Sequence, residues 1–213
     1  LTPIPNRTGG TVIPHPLKGF RQLLGMRAIR TALMGIVSVS LGYGAVLGFL
    51  PIHATQLEMN TYGIWFTLFA LGGLVAGPLA GSLSDKMGRM TAIVPSMLIF
   101  GIGVSLLYFL PATTALAVSS LMSGIGLTAS LTVLVAWIVD ESGDHLRATG
   151  LSLQENAIDL SFGVVSLAFG ALAVLIGYDL LFAMTGAVAM AYALYLLPRR
   201  SKMDETFPSP SQR

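Results

Sequence analysis

The stretch GSLSDKMGRM, residues 81–90, is a short hydrophilic segment between two long apolar runs. It brings one acid and two bases, Asp85, Lys86 and Arg89, close together in a chain with few charges. Charged residues make up only 10% of the chain and hydrophobic residues 54%, whereas soluble domains carry about 25% charged residues. This composition indicates that the chain lies in lipid and that the hydrophilic segment is a turn between two membrane spans.

Outward from this turn, six apolar runs are long enough to cross a hydrocarbon core, which takes about 20 helical residues. The runs are residues 31–56, 62–82, 90–110, 114–138, 150–176 and 179–197. Backbone groups in lipid must be hydrogen-bonded within a helix or a closed barrel, and these runs are continuous rather than alternating. We therefore predict an all-α membrane protein whose six transmembrane helices run up and down, with both termini on one side.

The basic residues test this topology, because Lys and Arg accumulate in the cytoplasmic segments of membrane proteins. If the N-terminus is cytoplasmic, all twelve basic residues fall in cytoplasmic segments. They are Arg7, Lys18, Arg21, Arg27, Arg30, Lys86, Arg89, Arg147, Arg199, Arg200, Lys202 and Arg213. The outside links carry the acids Glu58 and Asp179 and no base. We expect three regions: a cytoplasmic linker with a basic amphipathic stretch at 1–30, the six-helix bundle at 31–197, and a polar cytoplasmic tail at 198–213.

The hydrophilic turn also carries a recognisable pattern. Its residues Gly81, Leu83, Asp85, Lys86, Gly88 and Arg89 fit the form G-x-L-x-D-[RK]-x-G-R, which resembles the loop signature of the major facilitator superfamily. The segments LGYGAVLGFLPIHA at 41–54 and HLRATGLSLQENAIDLSFGVV at 145–165 are similar to the C-terminal half of bacterial arabinose-efflux-like facilitator permeases. The resemblance implies one half of the superfamily's fold, built from two inverted three-helix repeats. It also implies an N-terminal six-helix half as partner and a bacterial inner membrane as location.

For the turn itself, the resemblance implies a cytoplasmic gate. The motif arginine, Arg89, is expected to pair with Asp140 or Glu141 at the end of the fourth span. The alternative is an exposed arginine that meets lipid phosphate. Gly81 and Gly88 are expected to allow a tight turn between closely packed helices.

Two acids, Glu155 and Asp159, are predicted to lie inside the fifth span, where ionisable groups are costly and are functional candidates. With a rise of about 1.5 Å per residue, they lie about 6 Å and about 12 Å beyond the membrane edge at Leu151. A polar stripe with helical spacing is expected to face water or substrate; it consists of Ser152, Glu155, Asn156, Asp159, Gly163 and Ser166. Glu155 alternatively snorkels to the interface, and Asp159 alternatively is a structural carboxylate bonded to a neighbouring helix.

Aromatic residues add a weaker signal. Tyr43 lies near the middle of the first span, where it lines a cavity or packs in the core. Trp65 and Trp137 lie near span ends and are expected to be interfacial anchors.

The resemblance, together with the two acids in the fifth span, implies proton-coupled efflux of a small molecule such as a sugar or a drug, with no cofactor, metal or nucleic acid. An intramembrane serine protease is disfavoured, because His15, His53 and His145 fall in the linker or near span ends. The chain has no phosphate-binding loop of the G-x-x-x-x-G-K-[ST] type for ATP. A regulatory or scaffold membrane protein, or an inactive truncated fragment, remains an open alternative.

Overall fold

The computed structural model describes residues 16–199, and this part of the chain is all-α. The helices are α1 (Pro16–Gly25), α2 (Arg27–Gln56), α3 (Gly63–Met87), α4 (Arg89–Ser105), α5 (Thr113–Val164), α6 (Gly170–Ile176) and α7 (Tyr178–Leu196). A 3₁₀ turn, Leu106–Phe109, extends α4; a π turn, Val165–Phe169, joins α5 to α6; and a 3₁₀ turn, Leu197–Arg199, follows α7. Residues 1–15 of the predicted linker and 200–213 of the predicted tail lie outside the described residues.

Five helical stretches are long and apolar enough to cross a membrane, and the longest runs over 64 residues from Thr113 to Ile176. That stretch is two spans, because Gly143 has φ 63° and ψ 168°, which is not helical. A methyl group placed on Gly150 would lie 3.1 Å from Ile138 Cγ2, so the chain folds back at Gly143. The first arm of α5 (113–142) and the second arm (144–176, including the π turn and α6) are the fourth and fifth predicted spans. The six-helix prediction is confirmed.

Helices α2 and α7 show how the bundle is arranged. The Tyr192 hydroxyl donates a 2.7 Å hydrogen bond to the carbonyl oxygen of Thr31, and His53 Nε2 lies 2.7 Å from Asp179 Oδ1. The start of α2 therefore meets the end of α7, and the two helices are antiparallel. We call the end of the bundle with Thr31 and Tyr192 the motif end, because Arg89 also lies there, and the end with His53 the opposite end.

The first arm of α5 is the central helix of the bundle and packs against α2, α3 and α4. Small residues allow these close contacts, as is common between membrane helices. A methyl group on Gly126 would overlap the backbone of Phe100 in α4, and one on Gly124 would overlap the carbonyl oxygen of Phe69 in α3. The core around this arm includes the fully buried Val133 and Leu134.

Three reversals of the chain each depend on one glycine with a positive φ. Gly88 has φ 94°, Gly143 has φ 63° and Gly177 has φ 83°, with ψ of 151°, 168° and 160°. This region of backbone conformation is essentially restricted to glycine. The spans predicted at 62–82 and 114–138 ended too early, because α3 continues to Met87 and the two arms of α5 meet at Gly143.

The two tryptophans also differ from the prediction. Trp65 is 0% exposed and Trp137 is 2% exposed, so their expected role as interfacial anchors was wrong. Trp65 stacks on Phe69 at 4.9 Å between ring centroids, and its Nε1 donates a 3.2 Å hydrogen bond to Ser119 Oγ in the first arm. Because the indole N–H finds a partner inside the bundle, Trp65 can be buried at the opposite end.

Candidate functional site

Arg89 is the centre of a hydrogen-bonded cluster at the motif end. Its Nη2 lies 2.6 Å from Asp140 Oδ2 and its Nε lies 3.0 Å from the same oxygen. Its Nη1 donates to Ser84 Oγ at 2.7 Å and to Asp85 Oδ1 at 2.8 Å. The Arg89 side chain is 10% exposed, whereas those of Asp85 and Asp140 are 57% and 41% exposed. One guanidinium thus joins the ends of α3, α4 and the first arm of α5.

The turn at Gly88 explains how this cluster forms. Ser84 and Asp85 lie in the last turn of α3, and Arg89 is the first residue of α4. The three charges of the cluster, Asp85, Arg89 and Asp140, each stand at the unfavourable end of a helix. Carboxylates are disfavoured near C-termini, where the two acids lie, and cations near N-termini, where Arg89 lies. The ion pairs offset these costs, so the cluster couples the relative positions of the three helix ends.

The other residues of the predicted gate take different places. Lys86 is exposed, and Glu141 is half-buried beside Asp140. Gly81 is not part of the turn, since it lies inside α3, where a methyl group would be in ordinary contact with Thr132 at 3.7 Å. Of the two acids expected to pair with Arg89, Asp140 is the one whose contact with the guanidinium is seen here. Ser84, which is 0% exposed, was missed by the sequence analysis.

The polar stripe of the second arm is exposed along its whole length in this chain. All six of its residues are exposed: Ser152, Glu155, Asn156, Asp159, Gly163 and Ser166. Gln154 Nε2 donates a 3.1 Å hydrogen bond to Glu155 Oε1. Within residues 16–199, no side chain donates a hydrogen bond to the Asp159 carboxylate. The exposed stripe therefore offers two carboxylates to whatever adjoins this face of the second arm.

Tyr43 lies between α3 and the second arm. Its ring stacks on Phe69 with 5.4 Å between centroids and an angle of 6°, and it lies 6.1 Å from the ring of Phe162. Tyr43 is half-buried between these rings. It lies beside a cavity and is not one of the residues that line it. The cavity has a volume of about 440 Å³ and is lined by Gly44, Leu47, Gly48, Phe49, Phe162, Val165 and Ser166.

The π turn at Val165–Phe169 is a feature that the sequence analysis missed. Turns of this kind occur mostly as single-turn bulges inside α-helices, often at functional sites. Here the turn begins at Val165 and Ser166, which line the cavity, and it lies between Gly163 and Gly170. A methyl group on either glycine would have no neighbouring atom within 4 Å, so nothing packs tightly against them. The cavity therefore borders the least regular segment of the second arm.

The opposite end contains a second tie that was not predicted. His53 is 6% exposed and contacts Asp179 as well as the rings of Tyr178 and Phe182, at 5.4 and 6.1 Å between centroids. The distance of 126 residues between His53 and Asp179 in the chain hides this contact from sequence inspection. It links the last turn of α2 to the first turn of α7.

The apolar spans, the charged cluster at the motif end and the acidic stripe on the second arm together define a polytopic membrane protein. The profile of the Major Facilitator Superfamily matches residues 32–212. The chain therefore belongs to this superfamily.

Individual relatives agree with this assignment. The chain is 23% identical over 168 residues to an uncharacterised MFS-type transporter of Salmonella typhimurium, covering 78% of this chain and 43% of that protein. It is 26% identical over 198 residues to the human solute carrier family 2, facilitated glucose transporter member 12, covering 90% of this chain and 32% of that protein. It is 23% identical over 129 residues to the quinolone resistance protein NorA of Staphylococcus aureus, covering 60% of this chain and 33% of that protein. The chain thus spans less than half the length of these relatives.

Proposed function

We propose that this chain is the C-terminal six-helix half of a secondary transporter that exports a small molecule in exchange for protons. The observation that carries the proposal is the exposed acidic stripe on the second arm. An ionisable side chain in a span is costly unless it faces a cavity, finds a partner or is protonated. Asp159 and Glu155 satisfy this condition if a second half completes a water-filled cavity against the second arm.

The remaining roles follow from that arrangement. Asp159 and Glu155 are proton sites, with Asn156 and Tyr43 beside them as substrate contacts. Substrate sites in such transporters lie near the bilayer midplane, at the interface between repeats. A sugar or a drug is the class of cargo that the comparison favours, because the relatives include a glucose transporter and a quinolone resistance protein.

The cluster around Arg89 acts as the gate in this proposal. It holds α3, α4 and the first arm together in one state, and its partly exposed carboxylates can release the arginine when the halves move. Lys86 and Glu141 extend the charged surface at this end. In this orientation the motif end, both termini, the linker 1–30 and the tail 198–213 face the cytoplasm of a bacterial inner membrane, and residues 31–197 form the bundle.

A transport assay with an imposed pH gradient tests the proposal. Vesicles that contain the complete transporter with this chain should accumulate a labelled fluoroquinolone or a labelled sugar when the gradient favours export. Collapsing the gradient with a protonophore should abolish accumulation. Accumulation of the labelled cargo that persists unchanged without the gradient would disprove proton coupling.

A second assay tests the half-transporter hypothesis. The 213-residue chain alone should not transport in proteoliposomes, because the site lies at the interface with a second half. Robust transport by the monomeric chain would disprove this hypothesis. A complete transporter that binds cargo and fails to move it would instead favour a regulatory or scaffold role.

A further inference from the structure

Helix α1 is a short surface helix with two distinct faces. Its inner face has Gly19, which is buried, and Leu23, which is 0% exposed. A methyl group on Gly19 would lie 3.2 Å from Leu146 Cδ2 and 3.5 Å from Thr149, so α1 packs against the start of the second arm. This contact fixes the orientation of the outer face.

The outer face is basic and carries one exposed apolar side chain. Lys18, Arg21 and Leu24 follow one another at spacings of three residues, which places them side by side on a helix. All three are exposed, and Leu24 is 43% exposed. The sequence PLKGFRQLLG of α1 has no acid. A cation row beside an exposed leucine is the pattern of a helix that lies at a membrane surface.

The depth of α1 relative to the bilayer follows from its neighbours. Arg27 and Arg30 continue the basic surface onto the first turn of α2, where both are exposed. Thr31 accepts the hydrogen bond of Tyr192, and the Tyr192 ring stacks on Tyr195 at 5.7 Å. Tyrosines concentrate at the membrane interface, so this pair marks the headgroup level. Helix α1 ends just before α2 begins, so it lies directly outside the headgroup level.

We propose that the outer face of α1 binds the headgroups of anionic lipids, with Lys18 and Arg21 contacting phosphate and Leu24 reaching the acyl boundary. The charge of the face favours anionic lipid. Residues 16–31 carry no acid and four basic residues, which are Lys18, Arg21, Arg27 and Arg30. Nearby charges on the second arm, Asp144 and Arg147, offset each other. Lipid binding would keep α1 packed against Leu146 and so stabilise the start of the second arm.

Lipid binding by α1 requires only that the chain spans a bilayer. It is independent of proton coupling and of the side of the membrane that the motif end faces. Failure of the lipid test would therefore leave the transport proposal untouched, and failure of transport would leave the lipid test intact.

Hydrogen–deuterium exchange of residues 16–25 in nanodiscs tests the proposal. The purified chain is placed in discs of phosphatidylcholine alone and in discs that also contain anionic phosphatidylglycerol. Exchange of α1 should be slower in the anionic discs, by roughly fivefold for each of Lys18 and Arg21, which corresponds to about 1 kcal/mol per basic residue. High salt should remove the difference, because surface charges are screened.

Matched variants identify the side chains that are responsible. The double variant Lys18→Gln, Arg21→Gln should lose the difference between the two kinds of disc. The charge-retaining pair Lys18→Arg, Arg21→Lys should keep it, and so should Gln22→Ala, which changes an exposed uncharged residue on the same helix. Thermal unfolding of each variant checks that the bundle is intact.

Several outcomes would overturn the proposal. Equal exchange of wild type in both discs would show that anionic lipid does not bind α1. Equal protection by free inorganic phosphate in phosphatidylcholine discs would assign the face to a soluble anion. Protection that arises only when a second six-helix half is reconstituted with the chain would assign the face to that protein.

Discussion

Arg89 and Asp140 are 51 residues apart in the chain, yet Arg89 Nη2 and Asp140 Oδ2 are 2.6 Å apart. The same guanidinium also reaches Ser84 and Asp85. A planar group with five donors can satisfy three acceptors at once, and a lysine ammonium cannot reproduce that fork. The contact therefore depends on arginine itself, as well as on positive charge.

Arg89→Lys should destabilise the bundle although it keeps the charge. The loss should be about 1.5 kcal/mol, the low end for hydrogen bonds to charged groups, because both carboxylates are more than a third exposed. Thermal unfolding in one detergent measures it, with Lys86→Gln as the control that removes an exposed charge from the same turn. A lysine variant as stable as wild type would show that the fork contributes nothing to stability.

The two motif glycines should respond differently to the same substitution. Gly88→Ala should cost about 1–3 kcal/mol, since an alanine at φ 94° and ψ 151° is strained. Gly81→Ala should be neutral or slightly stabilising, because Gly81 is helical and a methyl group there meets Thr132 at 3.7 Å. The comparison of both variants by thermal unfolding separates turn formation from helix packing. Equal loss in both would contradict the single-residue turn at Gly88.

Close packing between α3 and the first arm gives a third prediction. Gly124→Ala should destabilise the bundle by about 1–3 kcal/mol, the usual cost of overpacking, because the new methyl group would overlap the carbonyl oxygen of Phe69. Gly170→Ala is the matched control, since nothing lies within 4 Å of its methyl position. The measurement is the unfolding midpoint in detergent. If both variants unfold at the same temperature, the two helices are not packed this closely.

The contact between His53 and Asp179 gives a fourth prediction. Asp179→Asn should retain most of the stability, because the amide oxygen can still accept a hydrogen bond from His53 Nε2. Asp179→Ala should cost about 1–3 kcal/mol, because a buried histidine nitrogen would lose its partner. Unfolding of both variants at one pH measures the difference. Equal loss in the two variants would show that the negative charge, rather than the hydrogen bond, stabilises the opposite end.

Much of the architecture could be predicted from the sequence because the bilayer restricts the solutions. Long apolar runs must be helices in lipid, and the basic residues separate cleanly by side, so the six spans followed. The contact of Arg89 with Asp140 was expected for a different reason, namely the resemblance of the hydrophilic turn to the superfamily's loop signature. That resemblance left Asp140 and Glu141 as alternatives, and the structure shows the contact with Asp140.

Other features depend on contacts that no local pattern records. Two of the predicted spans ended too early because one glycine, such as Gly143, is enough to reverse the chain. Trp65 was assigned to the interface because it lies near a span end, and nothing in the local sequence indicated Ser119 as its hydrogen-bond partner. The π turn at Val165–Phe169 has no propensity signal, and its two flanking glycines were the hint that could have suggested it.

The last prediction concerns Asp159, and it tests the transport mechanism rather than the fold. In the complete transporter, Asp159→Asn should abolish accumulation driven by a pH gradient while it leaves exchange of cargo down its own gradient. The reason is that asparagine is nearly isosteric with the carboxylic acid and cannot take up or release a proton. Vesicles with an imposed pH gradient measure the first activity, and the same vesicles without it measure the second.

Glu155→Gln tests the second proposed proton site, since Glu155 lies one turn nearer the motif end and is also exposed. As a proton site, Glu155 should lose part of the pH-driven accumulation when glutamine replaces it, whereas a glutamine variant that keeps full accumulation would show that Glu155 is interfacial. Both variants should unfold like wild type, because neither carboxylate supports the packing of the bundle in the described residues. If Asp159→Asn couples to the gradient as well as wild type does, Asp159 is not a proton site, and the proton must be carried by Glu155 or by a residue of the other half.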